Sequence, residues 1–300
     1  MINYNAILIS GPTASGKSNL ALDIAKRCNG VIINADSMQV YNDLSIITAK
    51  PTVHQMSLVP HFLYGFIDSR IRFSVGDWLK SIEGLLIFLN KMKIVPIIVG
   101  GTGLYFAGLL GEISNIPQIN QETRLKWQKI KDNHGLEYIY DFLQKNDPLA
   151  ANSINMNDKA RIIRASEVFD QTGISIREWQ KNTGEILIKG DHIKKIYICP
   201  SKEKIHSNIS IRIDSMFNGY ELFDEIKKLK EKNIPLSYPS MKAIGVREVI
   251  DYMEENKSLE ELKVKINNQT KRYAKRQITW AKKKMTDWDW FENKEDFFLS

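Results

Sequence analysis

Short apolar runs alternate with amphipathic stretches over residues 1–100. The runs at Ala6–Ser10, 31–34 and 95–99 have the length and composition of buried strands, and a helical period of apolar residues follows the first run and recurs over 78–90. Strands that alternate with helices form a parallel sheet with helices on its faces. The chain is therefore expected to have an α/β fold that binds its ligands at the carboxyl ends of the strands.

A block of charged, amphipathic helices interrupts this alternation from about residue 116 to 191. The strand-like run 193–199 then restores the α/β pattern, and helical periodicity dominates afterwards, above all over 259–284. A helical block between two α/β portions is typical of an inserted domain. We predict a first part of the α/β core at 1–115, an inserted all-helical domain at 116–191, and a return to the core with a helical C-terminal region at 192–300.

The segment 11–18, Gly-Pro-Thr-Ala-Ser-Gly-Lys-Ser, lies between the first predicted strand and the first predicted helix. This is the order of a phosphate-binding loop, in which glycines let backbone N–H groups turn toward anionic oxygens and the helix N-terminus adds its positive dipole. The lysine supplies a mobile positive charge, and the hydroxyl after it is a ligand for Mg²⁺. A glycine turn that matches by chance is the alternative. The residues expected at the phosphates are Gly11, Thr13, Ala14, Ser15, Gly16, Lys17 and Ser18, with Ser18 also at the metal.

Two more polar groups follow predicted strands and converge on the same crevice. Asp36 comes after the run 31–34, and Thr102 lies in a glycine-rich turn, 100–103, after the next run. An Asp at a strand end can hold Mg²⁺ through water, accept a proton from a nucleophile, or cap the next helix. Gln39 carries both a hydrogen-bond donor and an acceptor, which suits an adenine edge.

Positive charge is concentrated near the C-terminus of a chain whose net charge is +7. From 263 to 284 there are nine Lys or Arg residues and no Asp or Glu. Arg272, Lys275 and Arg276 fall on one helical face at i, i+3 and i+4. Such a face suits the phosphates of a nucleic acid, although a solvated basic helix has the same pattern.

Composition limits the remaining classes of protein. Of the 300 residues, 43% are hydrophobic, and no apolar run approaches the ~20 residues needed to cross a bilayer. Cys28 and Cys199 have no CxxC partner, so a metal or redox site built on them is not expected. We expect a cytoplasmic protein that binds no membrane and works as a monomer.

In their order and spacing, these motifs resemble those of the tRNA dimethylallyltransferases over nearly the whole chain. The segments that carry the resemblance are 11–18, 36–41, 48–52, 100–105, 158–164, Arg212, 241–248 and 271–280. The resemblance implies a P-loop NTPase-like parallel sheet. It also implies transfer of a dimethylallyl group from dimethylallyl diphosphate to the N6 amine of the adenosine 3′ to the anticodon, with release of diphosphate.

The resemblance also assigns roles to particular residues. Asp36 is the expected general base, Thr102 donates toward the oxygen that joins carbon to phosphorus, and Arg212 joins the phosphate loop and Mg²⁺ at the diphosphate. The adenine must leave its stack to reach the crevice. The residues expected to contact the tRNA anticodon stem-loop are Asp36, Ser37, Met38, Gln39, Thr102, Arg124, Ala160, Arg161, Ile162, Ile163, Arg164, Arg272, Lys275, Arg276 and Gln277.

Three other functions stay open from the sequence. In a small-molecule kinase or nucleotide triphosphatase, the loop would bind ATP and Asp36 would hold Mg²⁺, but the basic C-terminal helix would have no role. A prenyltransferase that acts on free AMP, ADP or ATP would not need the basic surfaces. An RNA-binding module with a vestigial phosphate loop would leave the convergence of Lys17, Asp36 and Thr102 unexplained.

Overall fold

The computed structural model describes residues 4–188, 190, 192–255 and 258–299, and these residues form one sheet of six parallel strands. The strands are β1 (Ala6–Ser10), β2 (Gly30–Asn34), β3 (His61–Phe62), β4 (Val95–Gly100), β5 (Ile193–Ile198) and β6 (Asp289–Phe291). Their order across the sheet is β3-β2-β4-β1-β5-β6. The predicted α/β fold with a parallel sheet is therefore confirmed.

The strands at the centre are apolar because both of their faces are covered. Every residue of β1 and β2 is buried, as is nearly all of β4, which gives the continuous apolar runs seen in the sequence. Ile7 of β1 lies opposite Ile97 of β4 in the ladder. Leu20 and Ile24 come from the helix after β1 and pack into the same core. Because that helix begins soon after β1 ends, it starts at the carboxyl edge of the sheet.

Thirteen α-helices occur among the described residues, and several begin with a side-chain cap. Ser74 and Asp77 form a reciprocal capping box at the start of α3, and Ser258 and Glu261 form another at the start of α12. The helices are α1 (Lys17–Cys28), α2 (Val53–Leu58), α3 (Val75–Lys91), α4 (Gly103–Leu109), α5 (Gln121–Asn146), α6 (Pro148–Ser153), α7 (Lys159–Thr172), α8 (Ile176–Trp179), α9 (Lys202–Met216), α10 (Glu221–Glu231), α11 (Val246–Glu254), α12 (Leu259–Lys284) and α13 (Lys294–Leu299).

The chain divides into two compact units. The first comprises Met1–Leu109 with Leu187–Ser300 and contains the sheet. The second, Leu110–Ile186, contains α5 to α8 around its own apolar core, where Trp127 and Ile162 are buried. The predicted inserted domain at 116–191 overlaps this second unit, and its role in tRNA binding stays a prediction. Within the described residues, no helix combines the length and the apolar character that crossing a membrane requires.

Candidate active site

A cleft of about 430 Å³ lies at the carboxyl ends of the strands, within the first unit. Sites for small ligands are typically about 300–1,000 Å³ in volume. Four cationic side chains line it, those of Lys17, Arg212, Lys242 and Arg276, whereas Asp36 is the one carboxylate among its described lining residues. This excess of positive charge suits an anionic ligand.

The phosphate loop forms one wall of the cleft. Ala14 and Gly16 have φ angles of 62° and 88°, and these left-handed residues turn the backbone just before α1 begins. Gly11 has no room for a side chain, because a Cβ there would lie 2.5 Å from Ile198 O. The Ser15 hydroxyl is buried with no hydrogen-bond partner among the described residues. Such a group, together with the helix N-terminus, is equipped to bind a phosphate oxygen.

Two half-buried cations, Lys17 and Arg212, contact this loop. Lys17 Nζ donates to Pro12 O at 3.1 Å, and Arg212 Nη1 donates to Thr13 Oγ1 at 2.7 Å. Burial lowers the pKa of Lys17 to about 8, an effect that the charge of Asp36 opposes and that of Arg212 reinforces. Burial also lowers the pKa of Arg212, again against the charge of Asp36. Both groups lack full solvation, so an anion that enters the cleft gains strong electrostatic stabilisation.

Asp36 is fixed by hydrogen bonds to the backbone of Met38 and to the side chain of Asn34, the last residue of β2. Asp36 Oδ1 accepts a hydrogen bond from Met38 N at 2.9 Å. Asn34 Oδ1 accepts from Asp36 N at 2.9 Å, and Asn34 Nδ2 donates to Asp36 O at 2.9 Å and to Leu63 O at 3.0 Å. The side chain of Asn34 is fully buried. The Asp36 carboxylate is therefore held at the cleft before any ligand binds.

Thr102 lies directly beside the Asp36 segment. Its Oγ1 accepts a hydrogen bond from Ser37 N at 3.0 Å and donates to Ser37 Oγ at 3.3 Å, and its backbone N donates to Ala35 O at 3.2 Å. A Cβ on Gly100 would collide with the backbone of Ala35, so only glycine allows this approach. The structure thus places Thr102 beside the Asp36 segment, and Asp36 lines the cleft together with the phosphate loop.

Gln39 also lines the cleft, but its amide nitrogen is engaged. Nε2 donates to Thr48 O at 2.9 Å and to Ala49 O at 3.1 Å, which uses both amide hydrogens. Any contact from the Gln39 side chain to a base therefore has to come from Oε1 as an acceptor. The expectation that Gln39 offers a donor as well does not fit this geometry.

The long helix α12 presents different faces to solvent and to the cleft. Arg272, Lys275 and Arg276 are exposed, and Arg276 and Tyr273 line the cleft. Gln277 is half-buried and makes hydrogen bonds to the protein backbone at both ends of its amide. Its predicted contact with tRNA therefore competes with contacts that the structure already satisfies.

In the second unit, the residues predicted to bind tRNA differ in their surroundings. Arg161 is exposed and pairs with Asp158 at 3.3 Å. Burial lowers the pKa of Arg164; the charge of Glu167 opposes that shift, and the neighbouring Arg124 adds to it. Ile162 lies fully buried in the core of this unit, so its side chain is not available to RNA.

Sequence reasoning missed several residues that shape the cleft. Asn34 could have been noticed as a polar residue that ends an apolar strand two positions before Asp36, a spacing typical of an Asx turn.

Tyr64 lines the cleft, and burial together with the charge of Asp36 raises its pKa, so the phenol stays neutral. Lys242 lines the cleft from a turn at Ser240–Lys242, and Asn208 Nδ2 donates to Ala14 O at 3.0 Å. No local pattern marks Tyr64 or Asn208, because their neighbours in space are distant in sequence, whereas Lys242 lies in the segment 241–248, which carries the resemblance but assigns this lysine no role.

The donor set for a metal in this cleft is small. Among the described residues, no cluster of three or more His, Cys, Asp or Glu side chains could hold a metal ion. Ser18 is exposed in the first turn of α1 and lines the cleft. A hydroxyl in this position fits Mg²⁺ that takes most of its other ligands from phosphate oxygens and water.

Together these features define a P-loop-type protein that acts on a phosphorylated ligand. They are the phosphate loop, the parallel sheet, and a carboxylate and a hydroxyl at the ends of neighbouring strands. The profile of the family described as IPP transferase matches residues 39–284, and that described as isopentenyl transferase matches residues 4–63. The tRNA dimethylallyltransferase of Rhizobium etli is 41% identical over 284 residues, which cover 94% of this chain and 95% of that protein. The tRNA dimethylallyltransferase of Bartonella henselae is 42% identical, with 94% and 96% coverage.

Solved structures agree with the sequence relatives. The tRNA isopentenylpyrophosphate transferase of Bacillus halodurans is 34% identical with a TM-score of 0.67, and the match covers 97% of this chain and 90% of that one. A eukaryotic dimethylallyltransferase acting on tRNA is 26% identical with a TM-score of 0.78, over 93% of this chain and 70% of the other. The chain belongs to the tRNA dimethylallyltransferase family. It is an enzyme of the prenyltransferase class, and the resemblance seen in its motifs is confirmed.

Proposed function

We propose that this enzyme transfers a dimethylallyl group from dimethylallyl diphosphate to the N6 amine of the adenosine 3′ to the anticodon in tRNA, and releases diphosphate. The observation that carries the proposal is the position of Asp36, which lines the same cleft as the phosphate loop and lies next to Ser37, whose backbone N donates to Thr102 Oγ1. A donor diphosphate and an acceptor amine can therefore meet within one small site.

The phosphate loop and its cations would stabilise the leaving group. As the allylic carbon–oxygen bond breaks, negative charge builds on the diphosphate, and the loop amides, Lys17 and Arg212 are placed to stabilise it. The Thr102 hydroxyl would donate a hydrogen bond to the bridging oxygen, after turning away from Ser37 Oγ. Mg²⁺ held at Ser18 would supply further neutralisation of the diphosphate charge.

Asp36 would act on the acceptor. The adenine amine is a weak nucleophile because its lone pair is delocalised into the ring, so a carboxylate that takes its proton during attack is worth about 10²–10⁴-fold in rate. The adenine must be unstacked from the anticodon loop to reach the cleft. Gln39 Oε1 would then accept a hydrogen bond from the flipped base.

The basic face of α12 disfavours a kinase or triphosphatase. Such an enzyme would bind ATP at the phosphate loop and hold Mg²⁺ near Asp36. It would leave the exposed Arg272, Lys275 and Arg276 without a role.

The basic surfaces support tRNA over a free nucleotide as the acceptor. We include in the proposal tRNA contacts from Arg272, Lys275 and Arg276 of α12, and from Arg124, Arg161 and Arg164 of the second unit. A tRNA substrate favours a cytoplasmic enzyme. One chain supplies every side chain that the proposed chemistry needs, which favours a monomer.

One assay tests the proposal. The protein is incubated with labelled dimethylallyl diphosphate and Mg²⁺, and with total tRNA, AMP, ADP or ATP as the acceptor. We expect label in tRNA, at an adenosine beside the anticodon, and none in the free nucleotides. Label in AMP would support a free-nucleotide prenyltransferase, and release of inorganic phosphate from ATP would support a triphosphatase.

A further inference from the structure

The side chain of Gln277 joins two loops that are distant in sequence. Its Oε1 accepts a hydrogen bond from Thr13 N, in the phosphate loop after β1, at 2.9 Å. Its Nε2 donates to Gly101 O, in the turn after the adjacent strand β4, at 2.8 Å. Because the amide is rigid and planar, these two bonds fix the separation of the two loops.

Both loops carry groups that the reaction needs. Thr13 Oγ1 accepts the hydrogen bond from Arg212 Nη1, so the position of Thr13 also sets that of the half-buried guanidinium. Gly101 immediately precedes Thr102 in the chain. A shift of either loop therefore changes the distance between the diphosphate and the hydroxyl that would donate a hydrogen bond to its leaving oxygen.

Side chains of α12 occupy the space beside the glycines of the second loop. A Cβ on Gly101 would collide with Gln277 Nε2, and a Cβ on Gly103 would collide with the ring of Trp280, one turn along the helix. The next nearest atom to the Gly101 Cβ position that is not part of Gln277 is Gly11 O, at 3.4 Å. The side-chain amide of Gln277 therefore fills the space beside Gly101.

We propose that Gln277 is a positioning residue, which holds the phosphate loop and the Thr102 turn in register for transfer and does not bind tRNA. The inference rests on the proposed function. It departs from the role expected of Gln277 by resemblance, because both ends of its amide already bond to the protein backbone. Its exposed neighbour Arg276 is still proposed to contact tRNA.

The test compares Gln277→Met with Arg272→Met, a substitution on the same helix at an exposed residue that is not among the lining residues of the cleft. For Gln277→Met we expect anticodon stem-loop affinity within about twofold of wild type, with donor affinity and the single-turnover rate each reduced about 10-fold, since two hydrogen bonds are lost. For Arg272→Met we expect the reverse, with weaker stem-loop binding and unchanged donor affinity. Loss of stem-loop affinity in Gln277→Met with normal donor binding and turnover would overturn the inference.

A second pair of variants decides the question if Gln277→Met is poorly folded by thermal unfolding. Gly101→Ala should reduce the single-turnover rate in the wild-type background, because its methyl group displaces the Gln277 amide. In a Gln277→Ala background the same methyl group enters vacated space, so the further loss should be less than about twofold. Full additivity of the two losses would show that Gln277 does not hold this turn.

A failure of the proposed function is distinguishable from a failure of this inference. Wild-type enzyme that transfers no label to tRNA contradicts the proposed function. The positioning role then still has its own readout, the affinity of each variant for inorganic diphosphate with Mg²⁺. If the wild type does transfer label, equal diphosphate affinity and equal single-turnover rates in wild type and Gln277→Met overturn the inference alone.

Discussion

At the scale of single residues, Asp36, the proposed general base, is held by side chains that are not among the described lining residues of the cleft. Asn34 satisfies the backbone of Asp36 on both sides and ties it to Leu63, while Trp78 Nε1 donates to the backbone oxygen of Asn34 at 2.9 Å. This preorganisation matters because a general base must meet its proton in one defined geometry.

Replacement of Asn34 by Ala should reduce both stability and rate. Loss of three buried hydrogen bonds should lower the free energy of unfolding by about 2–3 kcal/mol, and the freed Asp36 should lower the single-turnover rate with little change in donor KM. Denaturant unfolding and rapid-quench kinetics measure the two effects. Ser166→Ala, which removes a buried hydroxyl bonded to Ile162 O, is the control and should affect stability alone.

The lowered pKa of Lys17 predicts a pH-dependent affinity for the donor. The free enzyme loses the Lys17 proton as pH rises through about 8, while bound diphosphate favours the protonated form. Donor affinity should therefore be constant near pH 7, fall about tenfold per pH unit well above 8, and be accompanied by proton uptake. Calorimetry in buffers of different ionisation enthalpy measures that uptake. Lys17→Arg, which stays charged, should bind with little pH dependence in this range, and a flat wild-type profile from pH 7 to 10 would contradict the prediction.

At the scale of elements, α12 serves two purposes that follow from its faces. Its buried positions, including Ile266 and Ala274, pack into the first unit, while Arg272, Lys275 and Arg276 are exposed. An acid-free cationic face on a helix anchored in this way is a stable platform for phosphates.

Neutralising Arg272, Lys275 and Arg276 together to Gln should flatten the salt dependence of stem-loop binding. Each lost phosphate contact removes about 0.7–0.9 from the slope of log affinity against log salt. Binding titrations at several salt concentrations measure the slope, and donor affinity should change far less than stem-loop affinity, because only Arg276 of the three is among the lining residues of the cleft. The triple variant Lys80→Gln, Lys227→Gln and Lys228→Gln removes three exposed charges elsewhere and controls for net charge. Coincident slopes for wild type and the triple variant would show that this face is only solvated.

At the scale of the whole molecule, the second unit is joined to the chain at two neighbouring points. Gly184 N donates to Gly111 O at 2.9 Å, and Leu110 pairs with Ile186 in an antiparallel bridge. All described lining residues of the cleft belong to the first unit. The described residues of the proposed donor site therefore all come from the first unit.

Replacement of residues 112–183 by a short Gly–Ser linker should leave a folded protein that binds donor and loses most affinity for the stem-loop. The close ends make the linker geometrically possible. Circular dichroism, donor binding and stem-loop binding check the three parts. The full chain with Arg124, Arg161 and Arg164 changed to Gln is the matched control and should lose stem-loop affinity in the same direction. Loss of donor binding by a folded deletion variant would contradict this division of roles.

Local sequence patterns predicted some of these features and could not predict others. The strands β1, β2 and β4 are apolar runs, β5 ends in the apolar residues 196–198, and the phosphate loop has a fixed spacing, so all of these are visible locally. The strands β3 and β6 span two and three residues and depend on neighbours in the sheet, so no periodicity could mark them. The bonds of Gln277 join residues 264 and 176 positions apart, which no local pattern encodes.

The dependence of the glycine turn on α12 has a consequence for synthesis of the chain. The phosphate loop and the turn at 100–103 leave the ribosome early, but Gln277 and Trp280, which occupy the space beside Gly101 and Gly103, emerge near the end. Contacts of such long sequence separation form slowly. A nascent or prematurely terminated chain can therefore display the whole phosphate-loop motif while its two loops have no fixed separation, and activity appears only on completion of the C-terminal helix.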